Sequence, residues 1–327
     1  MPANLTPDYL KAEQWFRKAT TNEEKILALE EMLRVIPKHK GTEHLQADIK
    51  HRLSKLREAP AKKPGAKHTD IFHVPRTGAG QIVLLGTPNS GKSSIVAALT
   101  NAKVNVADFP FATTVPVPGM VHFEDIQIQL VDTPPITADY SAPGQVGVYR
   151  HCDLIAIVID LSIDVAEQLR ICLDFLETRK LLAAAVAAVV GESAGTLSKK
   201  AFCICTKSDI AIPDAIETLK KLCKRPFELA EISVKTAAGL GDLPPMFFKL
   251  LNIIRVYAKP PGKLPDMKEP FTLPAGSTVM DLATTIHRQL AEKFKFAKIW
   301  GSGVYAGQNV QRNHVLNDKD IIELHFS

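Results

Sequence analysis

The chain has 327 residues, 46% of them hydrophobic, with 40 Lys and Arg against 35 Asp and Glu for a formal charge of +5. This composition excludes a disordered or collagen-like chain, and the length leaves room for two domains. Five scattered cysteines, Cys152, Cys172, Cys203, Cys205 and Cys223, lack metal-site spacing and read as reduced thiols.

In chain order, Thr6-Pro7 reads as a helix start, with a Thr cap and Pro at the first position. Tyr9, Leu10, Ala12, Trp15 and Phe16 then follow at helical spacing. Thr21 with Glu24 predicts a capping box for a second helix through Leu27, Leu29, Met32 and Leu33. Thr42 is placed to cap a third helix running to Arg57, and Pro37–Lys40 forms a basic turn before it. Residues 1–58 therefore read as a helical domain, and 59–76, rich in Pro, Ala and Lys where it begins, as a linker.

From residue 77 to 257 strands alternate with helices, the pattern of a doubly wound α/β sheet. Strands are expected at 81–86, 119–124, 126–132, 154–161, 201–207 and 227–233. A last helix is expected to carry Met246, Phe247, Leu250, Leu251 and Ile254 on its core face. Pro260-Pro261-Gly262 is expected to break it, and residues 258–327 to form a small β module.

The sharpest motif is Gly86-Thr87-Pro88-Asn89-Ser90-Gly91-Lys92-Ser93, which fits G-x-x-x-x-G-K-[ST] between a strand and a helix that includes Ser94. Backbone N–H groups of such a loop converge on phosphate, and the helix dipole adds partial positive charge. Lys92 is expected to reach the β/γ-phosphates and the Ser93 hydroxyl to hold Mg²⁺. Thr206-Lys207-Ser208-Asp209 resembles the guanine box of GTPases. One carboxylate, Asp209, can accept from both N1–H and the 2-amino group of guanine, and adenine offers neither donor. Val131-Asp132-Thr133-Pro134 resembles the D-x-x-G box, whose Asp holds Mg²⁺ through water. Phe109-Pro110-Phe111-Ala112-Thr113-Thr114 resembles the switch segment whose Thr completes the Mg²⁺ shell; Thr113 is assigned that role, with Thr114 as the alternative. Ser233-Val234-Lys235 resembles the loop that contacts the base.

The order of these boxes, with the V-P-G-M that follows, resembles the Obg branch of GTPases, and within it the developmentally regulated GTP-binding (DRG) type. Residues 254–263 and Thr278-Val279-Met280-Asp281-Leu282-Ala283, together with segments around Trp300 and Asp318, resemble a TGS domain, a small β-grasp module. The resemblance implies a P-loop GTPase fold with an N-terminal helical segment and a C-terminal TGS domain. It implies GTP and GDP as ligands, slow Mg²⁺-dependent hydrolysis, and a translation or ribosome-assembly role on the ribosome or structured RNA. A small protein partner also fits the family. DRG proteins usually carry an inserted domain between the third and fourth boxes; the span from Asp132 to Thr206 leaves no room for one.

Two positions depart from the usual machinery. Ile136 stands where Ras-like enzymes place a water-orienting Gln, as is typical of the Obg branch. Pro135 stands where D-x-x-G has its Gly, and Pro has no N–H for the γ-phosphate. Asn89, in a loop resembling those of potassium-activated GTPases, implies K⁺ in place of an arginine finger. The alternative function is a nucleotide-binding scaffold with little hydrolysis because of Pro135, and a third is an ATPase, against which the guanine box argues.

The basic excess lies at the two ends, residues 1–64 and 258–327, around a near-neutral middle, which points to an anionic partner. Lys38, Lys40, Lys50 and Arg52 near the N-terminus, and Lys293, Lys295 and Lys298 near the C-terminus, are the candidate contacts. The first residues lack a basic stretch leading into an apolar one, and the longest apolar run, 181–190, is too short for a bilayer. No membrane and a cytoplasmic location are expected.

Overall fold

The computed structural model describes residues 7–19, 22–37, 42–58, 72–102, 113–142, 144–182, 199–223 and 227–326. The chain divides into two compact units, Met1–Thr69 and Asp70–Ser327.

The first unit contains α1 (Pro7–Lys18), α2 (Asn22–Val35) and α3 (Glu43–Glu58). Their apolar stripes meet in one core of Tyr9, Ala12, Leu29, Met32, Ile36, Ile49 and Leu53. Thr42 is buried at the α2–α3 turn. Its hydroxyl donates to the Pro37 carbonyl at 2.5 Å and accepts from the Gln46 amide at 3.2 Å. The turn is thus held by a side chain that satisfies a backbone carbonyl at a helix end. Thr21, Lys38 and Lys40 lie outside the described residues. Arg52 pairs with Asp48 one turn back at 2.8 Å, and Lys50 is exposed.

The second unit opens with β1 (Gln81–Leu85), α4 (Lys92–Leu99), β2 (Val117–Phe123), β3 (Ile126–Asp132), α5 (Gln145–His151) and β4 (Leu154–Asp160). It continues through α6 (Val165–Thr178), β5 (Lys200–Thr206), α7 (Ala215–Leu222), β6 (Leu229–Glu231) and α8 (Leu243–Leu251). The sheet order is β2-β3-β1-β4-β5-β6, antiparallel only between β2 and β3. Every residue of β1 and β4 is buried, as expected where helices cover both faces of a parallel sheet. Successive side chains alternate between two cores. Val83, Leu85, Ile155 and Ile157 pack with Tyr149, Leu169 and Cys172, while Ile82, Leu84, Ala156 and Val158 pack with Ile95, Val96 and Phe247. Cys203 and Cys205 share the first core. β1 sits between β3 and β4, so the P-loop leaves the sheet where the chain winds both ways.

The span after Asp132 contains α5, β4 and α6, the helix–strand–helix passage read from the sequence. The expected loop around 191–196 lies outside the described residues.

A second sheet follows: β7 (Ile253–Ala258), β8 (Phe271–Pro274), helices α9 (Val279–Ile286) and α10 (Arg288–Ala291), β9 (Phe294–Trp300), β10 (Gln308–Val310) and β11 (Asp320–Phe326). Its order is β10-β9-β11-β7-β8, with β7 and β11 parallel. α9 starts at a full capping box between Thr278 and Asp281 and packs Val279, Leu282 and Ala283 on Val256, Ile299 and Ile322. One expectation is corrected here. The helix carrying Met246 and Phe247 stops at Leu251, and Asn252 takes a left-handed conformation with φ 53°. Ile254 and Tyr257 therefore belong to β7, so the second sheet begins before residue 258.

Arg255 of β7 joins the two sheets. Its side chain is 3% exposed and donates to Asp318 at 2.7 and 3.1 Å, Glu124 at 2.6 Å and Asp125 at 2.9 Å. Glu124 and Asp125 form the β2–β3 turn, and the guanidinium lies 4.8 Å from the Phe248 ring and 5.7 Å from that of Phe123. Tyr257 donates its hydroxyl to Asp125. Led by its hydrogen bond to Asp318, this setting holds the guanidinium above its ordinary pKa, so it stays charged at any pH of interest.

Candidate nucleotide site

The P-loop forms because glycine alone fits two of its positions. Gly91 has φ 92° as it caps α4, and a Cβ at Gly86 would stand 2.7 Å from the Val158 carbonyl oxygen. Asn89 is also left-handed, with φ 57°, and exposed. Lys92 is buried, and its ammonium donates to the carbonyls of Thr87 at 2.9 Å and Gly86 at 3.0 Å and to Ser90 Oγ at 3.4 Å. Burial lowers its pKa to about 8, against the opposing pull of Asp132. The ammonium is thus held under the phosphate loop in a setting that favours a nearby negative charge.

Three oxygen-bearing side chains meet beside it. Ser93 Oγ donates to Asp132 Oδ2 at 2.6 Å, Thr113 Oγ1 donates to the same oxygen at 3.1 Å, and the two hydroxyls are 3.2 Å apart. Asp132 is fully buried at the end of β3, and its Oδ1 has no hydrogen-bond partner. Burial raises its pKa, opposed by the Ser93 hydrogen bond, the Lys92 charge and the Thr113 hydroxyl. An all-oxygen set with one buried carboxylate oxygen unsatisfied fits Mg²⁺, a hard cation that takes few protein ligands. Thr113 makes these contacts and Thr114 is exposed, so the geometry favours the first of the two assignments. Residues 109–112 of the switch segment lie outside the described residues.

The third box is pinned from behind. Thr133 donates to the Leu84 carbonyl at 2.7 Å and lies 2.8 Å from the Tyr149 hydroxyl. Gln145 donates to the Pro134 carbonyl at 2.6 Å and accepts from the Ala142 N–H at 3.0 Å. Pro135 has no N–H, and the next one, of Ile136, donates to the Gly86 carbonyl at 3.2 Å. The Ile136 side chain is fully buried in the core and cannot orient a water.

The residues expected to meet the base gather at the ends of β5 and β6. Asp209 Oδ1 accepts from Ser233 Oγ at 2.7 Å, a bond that lowers the Asp209 pKa. Thr206 Oγ1 donates to the Ser90 carbonyl at 2.7 Å and so ties this box to the P-loop. Lys207 Nζ stands 2.5 Å from Asp160 Oδ2. Val234 and Lys235 follow Ser233 in the same loop, and Thr87, Pro88 and Ser94 lie in or next to the P-loop. Residues more than a hundred positions apart thus converge at the carboxyl edge of one sheet. Sequence reasoning missed Asp160 and Gln168, which brace Lys207 and Thr87. The position of Asp160 at the carboxyl end of the central strand β4 was the available signal.

Fold and site together define a P-loop GTPase fold with a β-grasp module on the same chain. Comparison with known families agrees: residues 81–188 match the 50S ribosome-binding GTPase family and residues 254–325 the TGS domain. Developmentally-regulated GTP-binding protein 1 of Xenopus laevis is 28% identical over 346 residues, covering 88% of this chain and 94% of that one. Ribosome-interacting GTPase 1 of Saccharomyces cerevisiae is 27% identical, covering 93% and 99%. The solved YchF GTPase of Schizosaccharomyces pombe shares the fold, with a TM-score of 0.51 and 14% identity over 77% of this chain and 99% of that one. The chain thus carries a GTPase domain and a TGS domain, and developmentally regulated GTP-binding proteins are among the proteins it is similar to over most of its length.

Proposed function

We propose that the protein binds GTP and GDP and hydrolyses GTP slowly with Mg²⁺, as a switch that works on the ribosome or structured RNA in the cytoplasm. The observation that carries this reading is the convergence of Ser93, Thr113 and Asp132 beside Lys92, with Asp209 and Ser233 at the base side of the same sheet edge. Gly86 to Ser94 would cradle the phosphates, and Lys92 would stabilise charge on the γ-phosphate. Ser93, Asp132 and Thr113 would hold Mg²⁺, which when bound neutralises phosphate charge. Thr206, Lys207, Asp209, Ser233, Val234 and Lys235 would surround guanine.

Replacing Asp209 by Asn tests the base assignment. Losing a charge-assisted pair costs about 1.5–3 kcal/mol, so GTP affinity should fall by tenfold or more while the fold persists. Equal GTP affinity in variant and parent removes the guanine assignment.

With a buried Ile136 where a water-orienting Gln would stand, help in hydrolysis must come from elsewhere. Asn89, exposed at the tip of the P-loop, is the side chain we assign to K⁺. Turnover is expected to be faster in K⁺ than in Na⁺, with the difference lost in Asn89→Ala. Identical rates in the two salts would return Asn89 to a purely loop-forming role.

The second reading, a scaffold with little turnover, is favoured by one observation: Pro135 offers no N–H, and that of Ile136 is engaged with Gly86. Binding of nucleotide without measurable hydrolysis in either salt would select it.

For the RNA partner, Lys293 and Lys295 are exposed and Lys298 half-buried along and before β9. Of the aromatics there, Tyr257 and Phe294 are core, Phe296 stacks on His325 at 4.5 Å, and Tyr305 is 86% exposed. These surfaces, with Lys50 and Arg52 on α3, are those we assign to ribosome or RNA contact, and the DRG resemblance leaves room for a small protein partner. No described helix is long and apolar enough to cross a membrane.

A further inference from the structure

Asp160 is buried at the end of β4, where nothing in the phosphate or base boxes assigns it a role. Its Oδ1 accepts from the Ser162 N–H at 2.8 Å and the Ser162 hydroxyl at 2.6 Å, which leaves Oδ2 directed to Lys207 Nζ at 2.5 Å. The backbone of Asp160 is equally held. Its N–H donates to Gln168 Oε1 at 2.9 Å, and its carbonyl accepts from Gln168 Nε2 at 2.9 Å. Gln168, itself buried in α6, also accepts from the Thr87 hydroxyl of the P-loop at 3.4 Å. In the β4–β5 ladder Asp160 lies opposite Thr206, the first residue of the guanine box. A carboxylate so buried and so fully bonded has almost no freedom, and it anchors a lysine that would otherwise be among the most mobile of side chains.

From this arrangement we infer that Asp160 is a positioning residue for guanine binding: it pre-sets the Lys207 side chain, so that the lysine stem is already aligned to flank the base when nucleotide arrives. This rests on reading Lys207 and Asp209 as the guanine box. Without the anchor, the ordering of Lys207 falls on the binding step and weakens affinity. The Gln168 bridge to Thr87 would hold base box and phosphate loop in one frame, so the lysine and the loop amides would keep their separation.

The test is a double-mutant cycle on GDP affinity, measured by calorimetry on the full chain with Mg²⁺. Asp160→Asn keeps the shape and the acceptor for Ser162 but removes the charge. It should lower GDP affinity about tenfold, and Lys207→Met should lower it at least as much. In the Lys207→Met background Asp160→Asn should add less than twofold, because its effect runs through the lysine. A residue that merely supports the fold would weaken binding equally in both backgrounds, and that result overturns the proposal. So does wild-type affinity in Asp160→Asn. If Asp160→Asn does not fold, Asp160→Ser, smaller and also uncharged, is read against the same expectations. Failure of the guanine-box reading looks different: Lys207→Met and Asp209→Asn would then both bind GDP as the parent does.

Discussion

Replacing Arg255 by Met is expected to destabilise the junction of the two sheets strongly. The guanidinium is 3% exposed, and it compensates Asp318, Asp125 and Glu124 at once. Methionine fills much of the same space between the Phe123 and Phe248 rings but brings no charge. Asp318 and Asp125, 32% and 21% exposed, would lose their counter-charge at the junction of the two sheets. Breaking a buried pair from one side costs about 3–5 kcal/mol, and Glu124, half exposed and also paired with Lys319, adds little to that. The expected loss is therefore about 3 kcal/mol. Urea unfolding followed by Trp300 emission in a Trp15→Phe background reads it, because Trp300 lies in β9 of the same module. A loss under about 1 kcal/mol would mean that the carboxylates find water or another cation when the arginine is gone.

Lys92→Ala is expected to have the largest effect on activity. The ammonium is the buried cation beneath the phosphate loop. Removing its charge-assisted bonds should cost about 3 kcal/mol of GTP affinity, about 100-fold, and hydrolysis should become undetectable. Stability should move the other way or not at all. Burial lowers the Lys92 pKa from its ordinary 10.5 to about 8, so below about pH 8 both states carry the charge and folding takes it out of water, a cost that fades as pH rises from 8 towards 10.5. The alanine variant sheds that cost. Thermal melting of the nucleotide-free variant at pH 7, close to that of the parent, together with lost GTP binding, is the expected pair of results. A large fall in melting temperature would assign Lys92 to the fold rather than to phosphate.

How much of this was legible beforehand depended on how local each signal was. The P-loop is a run of neighbours, and its glycines are dictated by backbone conformation and crowding at Gly91 and Gly86. The boxes at Asp132, Thr206–Asp209 and Ser233 were legible because each follows or ends an apolar strand, where a doubly wound sheet presents its ligands, whereas the switch segment before β2 rested on its resemblance alone. The last helix was carried too far, to Ile254, because a short apolar run fits a helix end and a buried strand equally well. The decisive residue was Asn252, a left-handed helix cap and a recognisable stop signal in sequence. Asp160 and Arg255 were opaque for another reason. Their roles come from partners 47 and more than 60 residues away; only its place at the carboxyl end of β4 marks Asp160, and no local pattern marks Arg255.

The central claim, a guanine nucleotide switch that turns over slowly, is tested most directly by one assay. Phosphate release is measured with GTP and with ATP at equal concentration, with Mg²⁺ and K⁺, and again after chelation of the metal. The account predicts slow, metal-dependent hydrolysis of GTP, with ATP at least 100-fold poorer. Equal turnover of ATP and GTP, or GTP hydrolysis that survives removal of the metal, would contradict it.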